Sequence, residues 1–378
     1  MINRKLLKNL DVTFIVALAL ILITGLLILS SATLNVNNDQ WFFVKKQALW
    51  IFLSIICLIP VLIIDYGVLF RYANYLYGLN ILLLLAVLVA GRSAKGAQLW
   101  LDLGPLGGQP SELAKVIVII TFATYLVKHQ ERLGSLRELM PAFLHVGIPL
   151  GLILAQPDLG TSLVFIAITF GMLFVAGARS SLLLKIIGAG VLIIVLALVG
   201  NLKFGLPLPL EDYQISRLIV FINPYLDGQG GRGAGWHVIQ SLVAIGSGGF
   251  WGKGLFNGTQ VQGNFLPEHH TDFIFSVVGE ELGFIGSTLI IGIYFVLLYR
   301  VLRIAFKSKD QFGIYIAIGI ASMWGFHILE NVGMAIGIMP ITGIPLPFLS
   351  YGGSSMLANM LSVGLLLNIN LRREKVFF

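Results

Sequence analysis

Charge and sulfur are what this sequence has least of. Of its 378 residues only 11% are Asp, Glu, Lys or Arg, less than half the roughly 25% of an ordinary soluble chain. So few charges cannot cover a surface that faces water on every side, which excludes a soluble globular protein. The one cysteine, Cys57, lies inside an apolar run, so neither an intrachain disulfide nor a cysteine-based metal site is available. His269 and His270 are adjacent, which is not the spacing of metal ligands on a helix. No GxxxxGK[ST] stretch occurs, so no nucleotide cofactor is expected. Met1–Asp11 is basic, but the apolar stretch after it is long enough to span and lacks a clear cleavage site, unlike a signal peptide.

What is abundant is apolar length. The chain is 57% hydrophobic, and its apolar runs repeatedly exceed the roughly 20 residues that cross a bilayer as a helix. The expected fold class is all-α: a polytopic integral membrane protein of about ten transmembrane helices forming one domain over 1–378. The spans read as 11–32, 46–64, 68–90, 110–128, 140–155, 159–178, 181–200, 271–303, 312–338 and 353–371. The fifth is short, and Gln156-Pro157-Asp158-Leu159-Gly160 breaks it from the sixth. Basic residues of short loops, such as Arg71, Lys128, Arg179, Arg300 and Arg372, fall on one side, while Lys45, Lys46, Arg92 and Lys95 fall on the other. That asymmetry places both termini in the cytoplasm. It also explains the net charge of +7 by topology and anionic membrane lipid, with no nucleic acid needed. The long segment of about 201–270 is then an extracytoplasmic loop, and a loop of that length is functional or disordered. Its Gly-rich run Gly228–Trp236 and amphipathic stretch Trp236–Gly254 argue against disorder.

Ionisable residues in or beside apolar spans are expensive and therefore informative. Asp272 stands in the first turn of the eighth span, beside Glu268, His269 and His270. The helix dipole favours a carboxylate there, but capping alone does not require that polar neighbourhood. Glu280 lies eight residues on, about 80° round the helix, and is expected to pair internally; Glu281 faces nearly opposite Asp272. Pro110 suits a first helical turn, and after it Glu112 and Lys115 are three apart and share a face. They read either as a structural ion pair or as a Lys holding an anionic headgroup with a Glu tuning it. Asp158 reads first as a helix cap before Leu-Gly-Thr-Ser. The stretch Met339–Ser355 carries three prolines and a Gly-Gly/Ser-Ser turn. It cannot form a regular helix, and unpaired backbone between spans is tolerated only in water or inside protein. It is expected to be a re-entrant or capping loop, rich in donors such as Ser354 that can hold phosphate oxygens.

These stretches together resemble the SEDS family of peptidoglycan glycosyltransferases. The matching residues are Gly96–Leu101, Gln109–Lys115, Gln156–Thr161, Gly235–Gly254, Leu266–Gly286 and Pro340–Ser355, in family order and nearly end to end. Gly235-Trp236-His237 and Lys95-Gly96-Ala97 lean towards the elongation branch over the division branch. Gln98-Leu99-Trp100 departs from the family, which usually has a basic residue before the Trp; Arg92 or Lys95 is the expected substitute.

The resemblance implies an active site on the extracytoplasmic face of the bacterial inner membrane and lipid II as substrate. It implies Asp272 as the essential acid, with Glu112, Lys115 and Asp158 as further functional residues. Arg217, His270 and Ser354 join these as candidate substrate ligands. A class B penicillin-binding protein, other elongation-complex membrane proteins and a divalent cation (Mg or Mn) are the implied partners and cofactor. The expected reaction is attack of a GlcNAc 4-hydroxyl on a MurNAc anomeric carbon, with undecaprenyl pyrophosphate leaving. Asp272 would be the base, and Lys115, Arg217 or a metal ion would face the pyrophosphate. The rival readings are a lipid II flippase, in which Glu112 and Lys115 line a path, and a non-catalytic scaffold. The clustering of ionisable groups at one face weighs against the flippase.

Overall fold

The computed structural model describes residues 9–36, 39, 41–94, 97–101, 108–130, 133–204, 212–226, 229–233 and 235–373. Lys95, Gly96 and Gly228 lie outside these residues, as does the Arg92 side chain, so the expected substitute for the missing basic residue falls outside the described part.

Helices appear at all ten expected spans: α1 Val12–Ala32, α2 Phe42–Ile63, α3 Gly67–Ala90, α4 Pro110–His129, α5 Leu136–Leu154, α6 Leu159–Val175, α7 Ser180–Phe204, α11 Ile274–Phe306, α12 Gln311–Ala335 and α13 Gly353–Leu371. Between α7 and α11 the long segment forms α8 Asp212–Ile222, a 3₁₀ turn Pro224–Leu226, α9 Gly235–Gly248 and the one-turn α10 Thr259–Gln262. A two-stranded hairpin, β1 Arg92–Ala94 with β2 Ala97–Trp100, is the only sheet among the described residues. Nine of the described helices are long and apolar enough to cross a bilayer, so the protein is a multi-pass membrane protein.

The fifth and sixth spans exchange the expected lengths. α5 begins at Leu136 because the Glu138 carboxylate reaches back to the backbone N–H groups of Ser135 (3.0 Å) and Gly134 (2.8 Å), starting the helix earlier than hydropathy does. α6 has 17 residues, about 26 Å at 1.5 Å per residue, short of a ~30 Å hydrocarbon core. Protein closes the gap: Gln156 donates to the Leu84 carbonyl at 3.0 Å, and Tyr213 donates to the Pro157 carbonyl at 2.5 Å. The non-helical break is thus satisfied without lipid contact.

Packing separates a core from a rim. α4, α12 and α13 are the most enclosed spans, while α7 stands at the periphery with most of its apolar side chains exposed, as lipid contact requires. At one pole the chain ends are tied together. Asn9 donates to the Leu371 carbonyl (3.2 Å), Asn370 to the Asn9 carbonyl (2.7 Å), and Arg300 pairs with Asp11 at 2.6 Å. The breaks and loops that carry the candidate residues gather at the other pole.

There, α11 is not one straight helix. Gly283 has φ 64° and ψ −162° inside it, a conformation only glycine adopts without strain. The strap Gly249–Gly254 fills the break. Lys253 and Gly254 donate to the carbonyls of Glu280 and Glu281 (3.0 and 2.9 Å), and Phe284 and Ile285 donate to those of Gly249 and Phe250 (3.0 and 3.2 Å). Four backbone bonds thus replace those that the kink removes. The approach is so close that a Cβ on Gly248 would stand 2.0 Å from the Gly279 carbonyl oxygen. The stretch Trp236–Gly254 is therefore a helix and strap clamped to the start of α11, and it fixes the direction in which that start faces.

Candidate active site

Asp272 is not a helix cap. α11 begins at Ile274 with Phe273 as its N-cap and no side-chain cap bond. Ahead of it the N–H groups of Thr271, Asp272 and Phe273 all point at the Glu268 carbonyl (3.1–3.2 Å), with Glu268 itself at φ 53°. Asp272 therefore sits in a tight turn just outside the helix, half-buried, instead of in its first turn. Thr271 braces the turn by donating to the Glu268 carboxylate at 3.1 Å.

Asn331 of α12 locks this turn to the Met339–Ser355 segment. Its side-chain amide donates to the carbonyl of Asp272 and to that of Ile344, each at 2.8 Å. Gly343, at φ 75°, lies against the acid: a Cβ there would stand 3.4 Å from Asp272 Oδ2. Beside it Thr342 donates to the buried Glu330 carboxylate at 2.9 Å. The segment enters the bundle, as its composition predicts. Ile344, Leu346, Phe348 and Leu349 are buried, and a Cβ on Gly25 of α1 would meet the Phe348 carbonyl oxygen at 2.9 Å. Tyr294 and Gln47 hold its carbonyls at Pro347 (2.6 Å) and Ser350 (3.1 Å). Its exit returns to the acid's neighbourhood, where Tyr351 donates its N–H to the His270 carbonyl at 3.0 Å. The His270 ring sits 4.9 Å from that of Phe43.

Ser354 and Asp158 are joined through Gln109. The Gln109 N–H donates to Ser354 Oγ at 3.0 Å and its side chain to Asp158 Oδ2 at 3.2 Å. Asp158 also caps α6, accepting from the Thr161 N–H at 2.9 Å and its hydroxyl at 2.8 Å. Burial pushes the Asp158 carboxyl above the usual Asp range, with the Thr161 bonds and the Lys115 charge opposing the rise. Glu112 and Lys115 form a buried pair at 2.8 Å. Lys115 Nζ also donates to His327 Nε2 at 3.1 Å, and His327 Nδ1 donates to the Pro345 carbonyl at 3.1 Å. Because that carbonyl can only accept, the ring's other nitrogen is the acceptor for Lys115. The pair thus braces the re-entrant segment from below. Arg217, on α8, stacks 5.4 Å over Tyr213, whose hydroxyl holds the Pro157 carbonyl next to Asp158.

The two deeper acids belong elsewhere. Glu280 is held by Lys253 at 2.7 Å and by the N–H groups of Gln260 and Val261 (2.9 and 3.1 Å), the internal pairing expected of it. Glu281 accepts from Ser31 of α1 at 2.5 Å.

Sequence reasoning missed His327, Glu330 and Asn331. They stand at i, i+3 and i+4 of α12, so one face of an apolar span carries three polar groups, and that pattern alone marks a face turned to protein.

Among the described residues no three His, Cys, Asp or Glu side chains are grouped to hold a metal ion. A resident cation cage does not fit this donor set. What the arrangement offers is a half-buried carboxylate fixed by its own backbone, with the Ser354 hydroxyl in the first turn of α13 and the Arg217 guanidinium on α8.

A family profile described as "Cell cycle protein", covering FtsW, RodA and SpoVE, matches residues 11–375. A Trichlorobacter lovleyi protein named "Probable peptidoglycan glycosyltransferase FtsW" is 40% identical over 88% of this chain and 84% of its own. The crystal structure of Thermus thermophilus rod shape determining protein RodA superposes with a TM-score of 0.71 at 29% identity, covering 97% of this chain and 98% of that one. A chain of a peptidoglycan synthase complex, studied for its coordination of polymerization and crosslinking, gives 0.79 at 31% identity, covering 95% and 97%.

Proposed function

This chain belongs to the FtsW, RodA and SpoVE family of cell cycle proteins, and we propose that it is a peptidoglycan glycosyltransferase that polymerises lipid II. The observation that carries this reading is the bracketing of Asp272. Asn331 pins its backbone carbonyl and Gly343 lies against its carboxylate, at the pole where Gln109, Asp158 and Ser354 meet. A side chain positioned this way suits a proton acceptor more than a packing role.

In the reaction the 4-hydroxyl oxygen of one GlcNAc bonds to the anomeric carbon of a MurNAc on undecaprenyl pyrophosphate. The C–O bond to pyrophosphate breaks, the pyrophosphate takes the electron pair, and Asp272 takes the hydroxyl proton. A positioned base of this kind contributes roughly 10²–10⁴-fold. Arg217 and Ser354 face the pyrophosphate, and His270 lies beside the acceptor sugar. Glu112, Lys115 and Asp158 act one layer further in. They hold the re-entrant segment and α6 in register, so their part in substrate binding is to place the loops that touch it. A divalent cation would have to be supplied with the pyrophosphate; it would offset the charge on the leaving group and would need no more than one carboxylate of the chain, as a Mg²⁺ that retains most of its waters does.

The basic residues of the short loops support cytoplasmic termini, with the Asp272 pole on the extracytoplasmic side of the inner membrane. Likeness to RodA supports action in cell elongation, alongside other elongation-complex membrane proteins. Likeness to a chain of a peptidoglycan synthase complex supports a crosslinking partner, a class B penicillin-binding protein.

The test is polymerisation of lipid II by purified protein with that partner, with and without EDTA. Asp272→Ala should make no glycan while still inserting and melting as the unaltered protein does. Glycan made by that variant at the normal rate would refute the assignment of the base. Movement of labelled lipid II across liposomes by the unaltered protein, without polymer, would replace the enzyme with a transporter.

A further inference from the structure

The opposite pole holds a second concave site that the proposed reaction does not use. α3, α4 and α5 enclose a cavity of about 260 Å³. On α4 it runs from Thr121 to His129, nine to seventeen residues beyond Glu112, or about 14–26 Å along the axis. It therefore lies from mid-span to the end where Asn9 and Asn370 are tied. The space far exceeds the ~10–15 Å³ that one water requires.

The lining has three parts. A ladder of rings forms its floor: Tyr77 on His145 (4.5 Å), His145 near Tyr125 (5.3 Å) and Tyr125 on His129 (4.3 Å). Hydrogen bonds fix the ladder in place. Tyr77 donates to the His145 carbonyl at 2.9 Å, His145 Nε2 meets Thr121 Oγ1 at 3.3 Å, and His129 Nδ1 donates to the Tyr125 carbonyl at 2.9 Å. The mouth carries Lys128, exposed and 5.5 Å over the Phe70 ring, with His129 and Asn74; among the described residues no carboxylate lines the space. Beyond the mouth Leu85, about 20° round α3 from Asn74, and Leu144 and Ile148 on α5, beside His145, are exposed apolar side chains.

Lys128 and His129 also complement the carbonyl end of α4, but that role needs neither a cavity nor a fixed ring ladder. A cationic mouth, donors within and apolar side chains outside together match an amphiphile with a negative head. Basic pockets between transmembrane helices take anionic headgroups for this reason. We infer that this cavity binds the phosphate headgroup of an anionic glycerophospholipid, with its acyl chains along the exposed faces of α3 and α5. Lys128 meets the phosphate, and the Tyr125 hydroxyl and the Asn74 amide meet the glycerol oxygens. This site is independent of the glycan chemistry and stands whether or not that reading holds.

Native mass spectrometry of the full chain, released from detergent with phosphatidylglycerol or phosphatidylcholine added, tests it. The unaltered protein should retain phosphatidylglycerol several-fold over phosphatidylcholine. Lys128→Gln, and separately Ala73→Phe, which fills the cavity without altering charge, should abolish that preference. Lys309→Gln, at a basic site elsewhere in the bundle, should leave it intact. Melting temperatures in detergent verify that each variant is folded. Equal retention of phosphatidylglycerol by folded Lys128→Gln and Ala73→Phe would overturn the proposal. Displacement of phosphatidylglycerol by equimolar undecaprenyl phosphate, but not by inorganic phosphate, would keep the phosphate site and overturn its assignment to a glycerophospholipid.

Discussion

Asn331 holds the Asp272 carbonyl at 2.8 Å, and with its second amide hydrogen it holds that of Ile344 at the same distance. One side chain thus sets the spacing between the acid's turn and the re-entrant segment.

Replacing Asn331 by Leu leaves two inward-facing carbonyls without their donor, each a loss of about 1–3 kcal/mol if buried unpaired. The acid's turn should shift against the Gly343 loop. A 1 Å misplacement can reduce turnover by about 100-fold, so polymerisation by Asn331→Leu should fall by one to two orders of magnitude. Steady-state assays with purified protein would read it, and Asn331→Gln should recover part of the loss.

The Glu112–Lys115–His327 chain is enclosed and mutually satisfied. Lys115→Met strands a buried carboxylate and should destabilise the protein by about 3–5 kcal/mol. Adding Glu112→Gln removes the stranded charge, so the double variant should melt higher than Lys115→Met alone. Thermal melts in detergent across the four-member cycle measure the coupling directly. Additive losses would mean that the pair contributes nothing jointly.

Asp158 combines a cap with a burial penalty, and pH separates the two. Its carboxyl lies above the usual Asp range because of burial, so the folded chain binds that proton more tightly than the unfolded chain does. The resulting stability is complete below the unfolded value and is lost as pH rises through the raised folded value. Asp158→Asn keeps an acceptor for the Thr161 N–H and removes the charge, so its stability should depend less on pH over that window. Asp158→Ala loses the cap as well and should lie about 1 kcal/mol below Asp158→Asn at every pH.

Gly283 and Gly147 should respond oppositely to alanine. At Gly283, with φ 64°, a Cβ would stand 2.2 Å from the Gly252 nitrogen. Gly283→Ala should lose about 1–3 kcal/mol and raise amide exchange across Gly249–Gly254, since the strap must lift away. Gly147 lies inside α5 with nothing within 4 Å of a Cβ, and Gly147→Ala should gain up to about 1 kcal/mol.

The spans were legible because lipid contact imposes an apolar length, and every expected one has its helix. The Met339–Ser355 segment was legible for a related reason: prolines forbid a helix where lipid forbids loose backbone. Asp158 as a cap and Glu280 as an internally paired acid also followed from local rules. Asp272's exact setting did not, because the turn ahead of α11 is made by Glu268 adopting a positive φ, which composition does not signal. The kink at Gly283 was hidden for another reason. It exists only because a strap some thirty residues earlier in the chain supplies the missing hydrogen bonds. His327, Glu330 and Asn331 were passed over because the hydropathy of α12 averages out a polar face. Their partners, Pro345, Thr342 and Ile344, are contacts that no periodicity encodes.

The brackets around Asp272 also impose an order in time. Gln109, Glu112 and Asp158 leave the ribosome first, the acid later, and Asn331, Gly343 and Ser354 last. Until those final residues are in the membrane, the acid's turn has no clamp and Gln109 no hydroxyl to hold. A nascent or prematurely released chain therefore carries the acid without its setting. Competence for chemistry arrives only with the last helix, so synthesis itself keeps a half-built copy silent.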